Sequence, residues 1–213
     1  MFARSAAAFV LFVASAVAAE PPFTALPQPF EMRNPPVVWH ATGPDAMTIA
    51  AGPKANWFVP PWNPKNAVDS APSLLIHPKG DFTLSAKVAL QPKKRWDSGC
   101  IALVVDNDNW AKLCLENAQG DGRLSVVHVV NRGVSDDAYT DFAAPGGEVY
   151  LKVSRKGEGL SFDASLDGKT WTMFRAFTLG GDFKALRAGL LAQSPVGDGM
   201  TVAFTDIRYD PAN

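Results

Sequence analysis

The sequence predicts an all-β domain of two packed antiparallel sheets, and three observations support this fold class. Apolar residues recur with a period of two in several segments, as at Phe82, Leu84, Ala86, Val88 and Leu90. The 17 Gly and 17 Pro residues divide the chain into short segments separated by turns. No long stretch follows the 3.6-residue period of a helix. About a dozen strands without helices are expected to form two sheets packed face to face.

The amino terminus has the pattern of a secretory signal peptide. Arg4 precedes an apolar run from Ala6 to Ala19, which only Ser15 interrupts and which is too short to span a bilayer as a helix. We expect residues 1–19 to be removed by cleavage after Ala19, with Ala16 as the alternative site. The mature chain is therefore expected to be secreted or periplasmic and to contain no membrane span.

Residues 20–37 contain six prolines, which prevent a helix and limit ladder hydrogen bonds, so we expect an extended lead-in. Residues 38–213 are expected to form one β-sandwich domain, because all-β sandwiches commonly reach about 200 to 250 residues without dividing. Within this domain, the turn signal Asp167-Gly168 lies between two strand-like segments and predicts a β-hairpin.

Charge and motif content exclude several function classes. With 20 basic and 21 acidic residues and no basic block, nucleic acid is not an expected partner. The G-x-S-x-G, Walker, G-x-G-x-x-G and H-E-x-x-H motifs are all missing, and the three histidines lie far apart. Residues 106–109 imitate half of a calcium loop but lack its distal Glu, so we interpret them as a polar turn. We expect no metal and no cofactor.

An ordered series of motifs carries a resemblance to a known family. The first is WDSGCIALVVDNDNWAKLCLE at 96–116, an aromatic–Asp pair followed by an apolar strand, an acidic turn, Trp110, Lys112 and Glu116. The motifs VVNRGVSD, LKVSR, SLDGKTW and GLLAQSP follow in order. The series resembles a poorly characterised family of concanavalin A-like jelly rolls that includes the "regulation of enolase" protein. This resemblance implies a concanavalin A-like jelly-roll sandwich and a sugar connection, but no reaction.

The hairpin within the first motif brings candidate ligand-binding residues onto one face. Two apolar rows are expected to face the core: Ile101, Leu103 and Val105, and Ala111, Leu113 and Leu115. Lys112 and Glu116 then lie on the opposite face among small side chains, which leaves a depression suited to an extended ligand. Asp97, Ser135 and Asp136 are expected to converge on the same depression. Alternatively, Lys112 and Glu116 are an ordinary exposed pair.

Four tryptophans are candidates for stacking on a sugar. Trp57 and Trp62 flank a segment stiffened by prolines, which predicts a preformed apolar platform. Trp96 and Trp110 lie at the start of the first motif and just after its acidic turn. The alternative is that these indoles pack in or beside the core.

The two cysteines leave two hairpin registers open. Both apolar rows face the core only if the loop has an odd number of residues. With a three-residue loop at 106–108, Cys100 lies opposite Cys114 and a disulfide is expected in an oxidising compartment. With a five-residue loop at 106–110, Cys100 lies opposite Glu116, and Trp110 leaves the ladder, as an indole that contacts a ligand would need.

These features favour an exported, non-catalytic module that binds a carbohydrate or a similar polar ligand. One alternative is a glycan-active hydrolase or lyase that uses Glu116 and Asp136, because glycoside hydrolysis generally needs two carboxyl groups. The paired Glu typical of glucanases with this architecture is missing, since Ala118 and Gly120 follow Glu116. The other alternative is a protein-interaction domain whose tryptophans pack against a partner.

Overall fold

The structure, a computed structural model, describes residues 22–212, so the predicted signal peptide lies outside the described residues. The described chain contains sixteen β-strands and two short 3-10 helices, at Pro64–Asn66 and Phe183–Ala185. The strands are β1 (Glu31–Arg33), β2 (Val38–Gly43), β3 (Ala46–Ala51), β4 (Trp57–Phe58), β5 (Val68–Asp69), β6 (Ser73–Ile76), β7 (Phe82–Leu90), β8 (Ser98–Val104), β9 (Asn109–Glu116), β10 (Ser125–Arg132), β11 (Ser135–Ala143), β12 (Glu148–Lys156), β13 (Gly159–Ser165), β14 (Thr172–Phe177), β15 (Arg187–Gln193) and β16 (Met200–Pro211).

The strands form two seven-stranded antiparallel sheets that pack face to face, as in a jelly-roll sandwich. The first sheet has the order β1-β6-β15-β8-β9-β10-β11, and the second has the order β14-β13-β12-β7-β16-β3-β2. Strands β4 and β5 pair with each other in a small separate ribbon. The predicted fold class is confirmed. Among the described residues, no helix has the length and apolarity needed to cross a bilayer.

The core lies between the two sheets and follows the alternation seen in the sequence. In β7 the odd-numbered positions are partly exposed, whereas Phe82, Leu84, Ala86, Val88 and Leu90 are buried. The hairpin predicted around Asp167-Gly168 is formed by β13 and β14. Burial of these rows removes apolar surface from water and holds the sheets together.

Two glycines allow the close approaches within this sandwich. A Cβ at Gly189 would lie 1.9 Å from the Leu74 carbonyl oxygen of the neighbouring strand. A Cβ at Gly99 would lie 2.3 Å from a Val202 methyl group of the second sheet. Larger side chains at these positions would force the strands or the sheets apart.

The sandwich includes part of the segment that the sequence assigns to a lead-in. Strand β1 pairs with β6 at one edge of the first sheet, and Leu26 is buried in the core. Phe30 packs edge-on against Trp39, with ring centroids 6.0 Å apart. The prolines keep this segment extended, and an edge strand tolerates the missing N–H donors. Part of the predicted lead-in therefore packs with the sandwich.

Candidate functional site

The β8–β9 hairpin has the three-residue loop, which decides the register that the sequence leaves open. Val104 pairs with Trp110, and Cys100 pairs with Cys114. The two cysteines form a disulfide with an S–S distance of 2.11 Å and a Cα–Cα distance of 4.0 Å. The Asp106 carboxylate accepts hydrogen bonds from the backbone N–H groups at 108 and 109, which confirms the polar-turn interpretation.

In this register, one face of the hairpin points to the core and the other points outward, as predicted. The rows at 101, 103 and 105 and at 111, 113 and 115 lie in the core between the sheets. Cys100, Ala102, Lys112, Cys114 and Glu116 lie on the outer face of the first sheet, away from the second sheet. The disulfide and Ala102 are small, so this face has room above it for other groups.

A segment that we call the strap, residues 56–70, crosses this outer face. It contains β4, the first 3-10 helix and β5. The Trp57 ring stacks on the Trp110 ring with centroids 4.3 Å apart, and both side chains are at most 2% exposed. Trp57 and Trp110 therefore form part of a second apolar cluster under the strap. The expectation that their indoles contact a ligand directly is corrected by this burial.

Polar contacts beside the cavity fix the strap to the sheet. The Lys112 ammonium donates to the Trp57 carbonyl at 2.6 Å. The Ser135 hydroxyl accepts a hydrogen bond from the Val59 N–H at 2.9 Å, and the Ser135 N–H donates to the Val59 carbonyl at 2.9 Å. Ser135 thus lies on the predicted face but anchors the strap instead of facing an open site.

A cavity of about 190 Å³ lies between the strap and the outer face of the first sheet. Lys112, Glu116 and Gln193 are buried at its base, and the Lys112 ammonium donates to the Gln193 side-chain oxygen at 2.8 Å. Trp62 is 80% exposed and lies at the rim. The lining consists of Asn56, Phe58, Trp62, Trp96, Lys112, Glu116, Val129, Asp137, Tyr139, Gln193 and Pro195.

Burial perturbs the ionisable groups of the cavity. Desolvation lowers the pKa of Lys112, and the nearby carboxyls of Glu116 and Asp137 partly offset this effect. Desolvation raises the pKa of Glu116 and of Asp137, while Lys112 opposes both shifts. The pKa of Tyr139 is also raised, first by burial and then by the Asp137 and Glu116 charges. Asp137 Oδ1 is buried without a hydrogen-bond partner among the described residues.

Two predicted site residues, Asp136 and Asp97, lie outside the cavity. Asp136 points away from the cavity and makes an ion pair with Arg175. Asp97 is fully buried, where it accepts hydrogen bonds from two backbone N–H groups, of Lys93 and Lys94, and from the Ser194 hydroxyl at 2.7 Å. Asp97 therefore ties two turns together. Of the residues predicted to converge, Lys112 and Glu116 line the cavity, whereas these two carboxylates lie outside it.

The residues that the sequence analysis missed are Asp137, Tyr139 and Gln193. Adjacent residues of a strand point to opposite faces, so Ser135 and Asp136 cannot both face the cavity. The register places Asp137 opposite Val129, which itself lies opposite Lys112. Applying the two-residue period from Ser135 would have selected Asp137 and Tyr139. The same period along β15 would have selected Gln193, because its neighbours Leu190 and Ala192 face the core.

Trp96 lines the cavity in an unusual backbone conformation. Its φ is 66°, in the left-handed region that bulky residues rarely adopt. The Arg95 guanidinium lies over the Trp96 ring, 4.7 Å from the centroid. Strained backbone of this kind is often found at functional sites.

No group of three or more His, Cys, Asp or Glu side chains that could hold a metal ion occurs within residues 22–212. The cavity itself offers two carboxyl groups beside an ammonium group. These groups can form hydrogen bonds and ionic contacts.

Residues 32–212 match the model of a family described as protein of unknown function (DUF1349). The chain belongs to this family. It is 25% identical over 138 residues to the Saccharomyces cerevisiae "Regulation of enolase protein 1", a match that covers 65% of this chain and 68% of the relative. The predicted family resemblance is confirmed.

Solved structures share the sandwich at lower identity. A functionally unknown protein from Saccharomyces cerevisiae is 20% identical, with a TM-score of 0.77, covering 86% of this chain and 97% of that chain. The Bacteroides ovatus Xyloglucan PUL GH43B structure is 19% identical, with a TM-score of 0.59. That match covers 81% of this chain but only 34% of the other chain. At these identities, the likeness concerns the fold.

Proposed function

We propose that the chain is a non-catalytic module that binds a carbohydrate in the cavity under the strap. The observation that carries this proposal is the pairing of aromatic side chains with buried polar groups, one of which, Asp137 Oδ1, has no hydrogen-bond partner in the described chain. A sugar ring offers the matching surfaces, since its C–H face stacks on an indole and its hydroxyls donate hydrogen bonds. An unpaired buried acceptor is costly until such a donor arrives.

The fold gives limited additional support. The sandwich resembles about a third of the Bacteroides ovatus Xyloglucan PUL GH43B structure. This likeness is consistent with a role beside polysaccharides, whereas the choice of ligand rests on the cavity itself.

A glycan array probed with purified residues 20–213 tests the proposal. We expect binding to a restricted set of glycans and no release of product when a bound glycan is incubated with the protein. Silence across the array would contradict carbohydrate binding. It would instead favour a protein partner that packs against the exposed Trp62.

A second candidate function is a glycan-active enzyme. The cavity supports it with a pair of carboxyl groups different from the pair expected from the sequence. The pair expected from the sequence, Glu116 and Asp136, is separated, but Glu116 and Asp137 line one cavity. Burial raises the pKa of Glu116, which suits a general acid. Product release that is lost in Glu116→Gln and retained in Asp136→Asn would establish the enzyme and overturn the non-catalytic proposal.

We also propose that the chain is exported. The buried Cys100–Cys114 disulfide supports this proposal, because disulfides form and persist mainly in oxidising compartments. Expression of the full chain in a bacterium with a secretion system, followed by intact-mass measurement, tests it. We expect the mass of a chain that begins at Glu20. An uncleaved chain retained in the cytoplasm would contradict export.

A further inference from the structure

Lys112 is a buried amine at the base of the cavity. It is 2% exposed, and it is the one buried lysine among residues 22–212. Its nitrogen donates to the Trp57 carbonyl at 2.6 Å and to the Gln193 side-chain oxygen at 2.8 Å. Buried ammonium groups are usually paired with carboxylates, whereas both hydrogen-bond partners of Lys112 are neutral.

These two contacts match a neutral amine. A neutral amine has two N–H groups and one lone pair, whereas an ammonium has three N–H groups. Trp57 and Gln193 accept both hydrogens of the neutral form, so its lone pair stays unshared. In the ammonium form, the third N–H has no hydrogen-bond acceptor within the described chain. A buried donor without a partner destabilises that form.

The ionisable groups around Lys112 act on its proton in opposite directions. Desolvation is the largest effect and lowers the Lys112 pKa to about 8, while the Glu116 and Asp137 carboxyls favour the ammonium. Tyr139 also lines the cavity, and its raised pKa keeps its phenol neutral at pH 8. At pH 8 about half of Lys112 is therefore a neutral amine, against about 0.4% of an exposed lysine with the ordinary pKa of about 10.4.

The cavity also holds a proton donor. Desolvation raises the pKa of the Glu116 carboxyl to about 8, although Lys112 and the Arg95 guanidinium oppose this shift. Glu116 therefore retains its proton near neutral pH and can protonate a leaving oxygen. A neutral amine and a protonated carboxyl in one cavity are the two groups that imine formation from a carbonyl compound requires.

The rest of the lining favours a small carbonyl compound with hydroxyl groups. Asp137 Oδ1 is buried without a hydrogen-bond partner in the described chain, so a hydroxyl donor would stabilise it. The Trp96 and Tyr139 rings line the walls and limit the access of water to an imine. The cavity of about 190 Å³ is roughly six times the ~30 Å³ share of a water molecule in the liquid, which suits a molecule of a few carbon atoms.

We propose that Lys112 forms a reversible imine with a small hydroxyaldehyde, such as the open-chain form of a short sugar, that enters the cavity. This inference goes beyond the proposed function, which needs only noncovalent contacts. The Lys112 nitrogen attacks the carbonyl carbon, and one of its protons passes to the carbonyl oxygen to give a carbinolamine. Glu116 then protonates the hydroxyl group, which leaves as water while the C=N bond forms. The products are a Lys112 iminium, a Glu116 carboxylate and one water molecule, so atoms and charges balance.

Reductive trapping tests the imine. The purified mature chain is incubated at pH 8 with glyceraldehyde and sodium cyanoborohydride, which reduces an imine to a stable secondary amine. Peptide mass mapping then gives the labelling rate at each lysine. We expect Lys112 to be labelled about tenfold faster than the exposed Lys54 and Lys94. Its neutral fraction is about a hundredfold larger, and limited access to the cavity offsets part of this gain.

Propanal is the matched probe for the ligand class, because it has the same number of carbon atoms as glyceraldehyde and no hydroxyl groups. The rate at Lys112 is divided by the rate at Lys94 for each aldehyde, which removes the intrinsic difference between the two reagents. We expect this ratio to be about fivefold larger for glyceraldehyde, the effect of one hydrogen bond to Asp137.

Two variants and an unfolded control assign the fast labelling to the cavity. Lys112→Arg keeps a cationic donor for the Trp57 carbonyl and is expected to lose the fast labelling. Lys152→Arg changes a lysine of the second sheet that lies over Trp171, 4.1 Å from the ring centroid, and is expected to keep it. In guanidinium chloride, Lys112 of the wild-type chain is expected to be labelled as slowly as the exposed lysines. This measurement tests the folded cavity even where Lys112→Arg unfolds.

The outcomes separate this inference from the proposed function. Labelling of Lys112 no faster than that of Lys54 and Lys94 in the folded protein would overturn the imine. Fast labelling that persists after unfolding would also overturn it, because the cavity would not be the cause. An equal ratio for the two aldehydes would overturn the hydroxyaldehyde class. Silence on the glycan array with fast labelling at Lys112 overturns sugar binding alone, and the reverse pattern overturns the imine alone.

Discussion

At the scale of single residues, Trp57 and Trp62 belong to the same strap but have opposite environments. Trp57 is 2% exposed and stacks on Trp110, whereas Trp62 is 80% exposed at the rim of the cavity. Exposed apolar patches often mark binding surfaces, and the Trp62 ring lies beside the partly exposed Phe58 ring, with centroids 6.3 Å apart. Within this one segment, the Trp57 indole therefore packs against the sheet, and the Trp62 indole is available for recognition.

Replacing each tryptophan with alanine tests this division. We expect Trp57→Ala to lower the free energy of unfolding by about 3–5 kcal/mol, because it removes a buried aromatic side chain. Trp62→Ala is expected to leave stability unchanged and to weaken ligand binding by about 1–3 kcal/mol, on the scale of base–aromatic stacking. Urea unfolding and calorimetry measure the two effects. A stability loss in Trp62→Ala as large as that in Trp57→Ala would contradict this assignment.

Asp137 is expected to make stability depend on pH in a defined direction. Burial raises its pKa in the folded state, so the native protein binds more protons than the unfolded chain as pH rises above the unfolded pKa. The stabilising contribution is present at low pH and is lost as pH rises through the folded pKa. Asp137→Asn removes this loss.

The difference in unfolding free energy, Asp137→Asn minus wild type, should therefore increase between about pH 4 and pH 7. Urea unfolding at several pH values measures this difference, and Asp136→Asn is the exposed control. A difference that stays flat or decreases with pH would show that burial does not control this carboxyl.

At the scale of elements, the β8–β9 hairpin is tied by its own covalent link. The disulfide joins residues 14 positions apart, opposite each other in the ladder, and both cysteines are fully buried. A closed loop of this length restricts the unfolded chain. The hairpin carries Lys112 and Glu116, so the link also holds the base of the cavity in register.

Reduction should therefore destabilise the protein. We expect dithiothreitol to lower the free energy of unfolding by about 3 kcal/mol once the protein has been unfolded and allowed to equilibrate. The double variant Cys100→Ala with Cys114→Ala lacks the link, and its unfolding is expected to be unchanged by the reductant. An equal effect of dithiothreitol on both proteins would contradict a structural role for the disulfide.

The hairpin also shows which structural features the sequence pattern predicts and which it does not. Alternation along 101–105 and 111–115 predicts both faces, because burial on one face requires a period of two. It does not choose between the two loop lengths, since either one keeps both rows in the core. It also does not reveal the strap, whose packing over Trp110 depends on contacts between residues distant in sequence. Burial of Trp57 and Trp110 follows from that long-range packing.

At the scale of the whole molecule, the two sheets share one core. Buried residues from both sheets, such as Leu84 and Val202 of the second sheet and Leu113 and Leu190 of the first, belong to a single cluster. The two inner faces bury each other, so exposing one of them also exposes the other. The strap adds a second cluster on the outer face of the first sheet.

Unfolding is therefore expected to be a single cooperative transition. Tryptophan fluorescence reports on the strap and the cavity through four of the six tryptophans, with Trp39 and Trp171 contributing from the second sheet, while far-ultraviolet circular dichroism reports on both sheets. We expect the two signals to give the same urea midpoint. A fluorescence midpoint clearly below the circular dichroism midpoint would show that the strap detaches before the sandwich unfolds.

The left-handed backbone of Trp96 has a consequence for how this protein would evolve in the laboratory. At a positive φ, glycine is less strained than alanine, so Trp96→Gly should be more stable than Trp96→Ala, the reverse of the order in most strands and helices. Among variants that replace this tryptophan, a mutant library selected only for folding is therefore expected to favour glycine over alanine. A library selected for ligand capture is expected to retain the indole, because it forms one wall of the cavity.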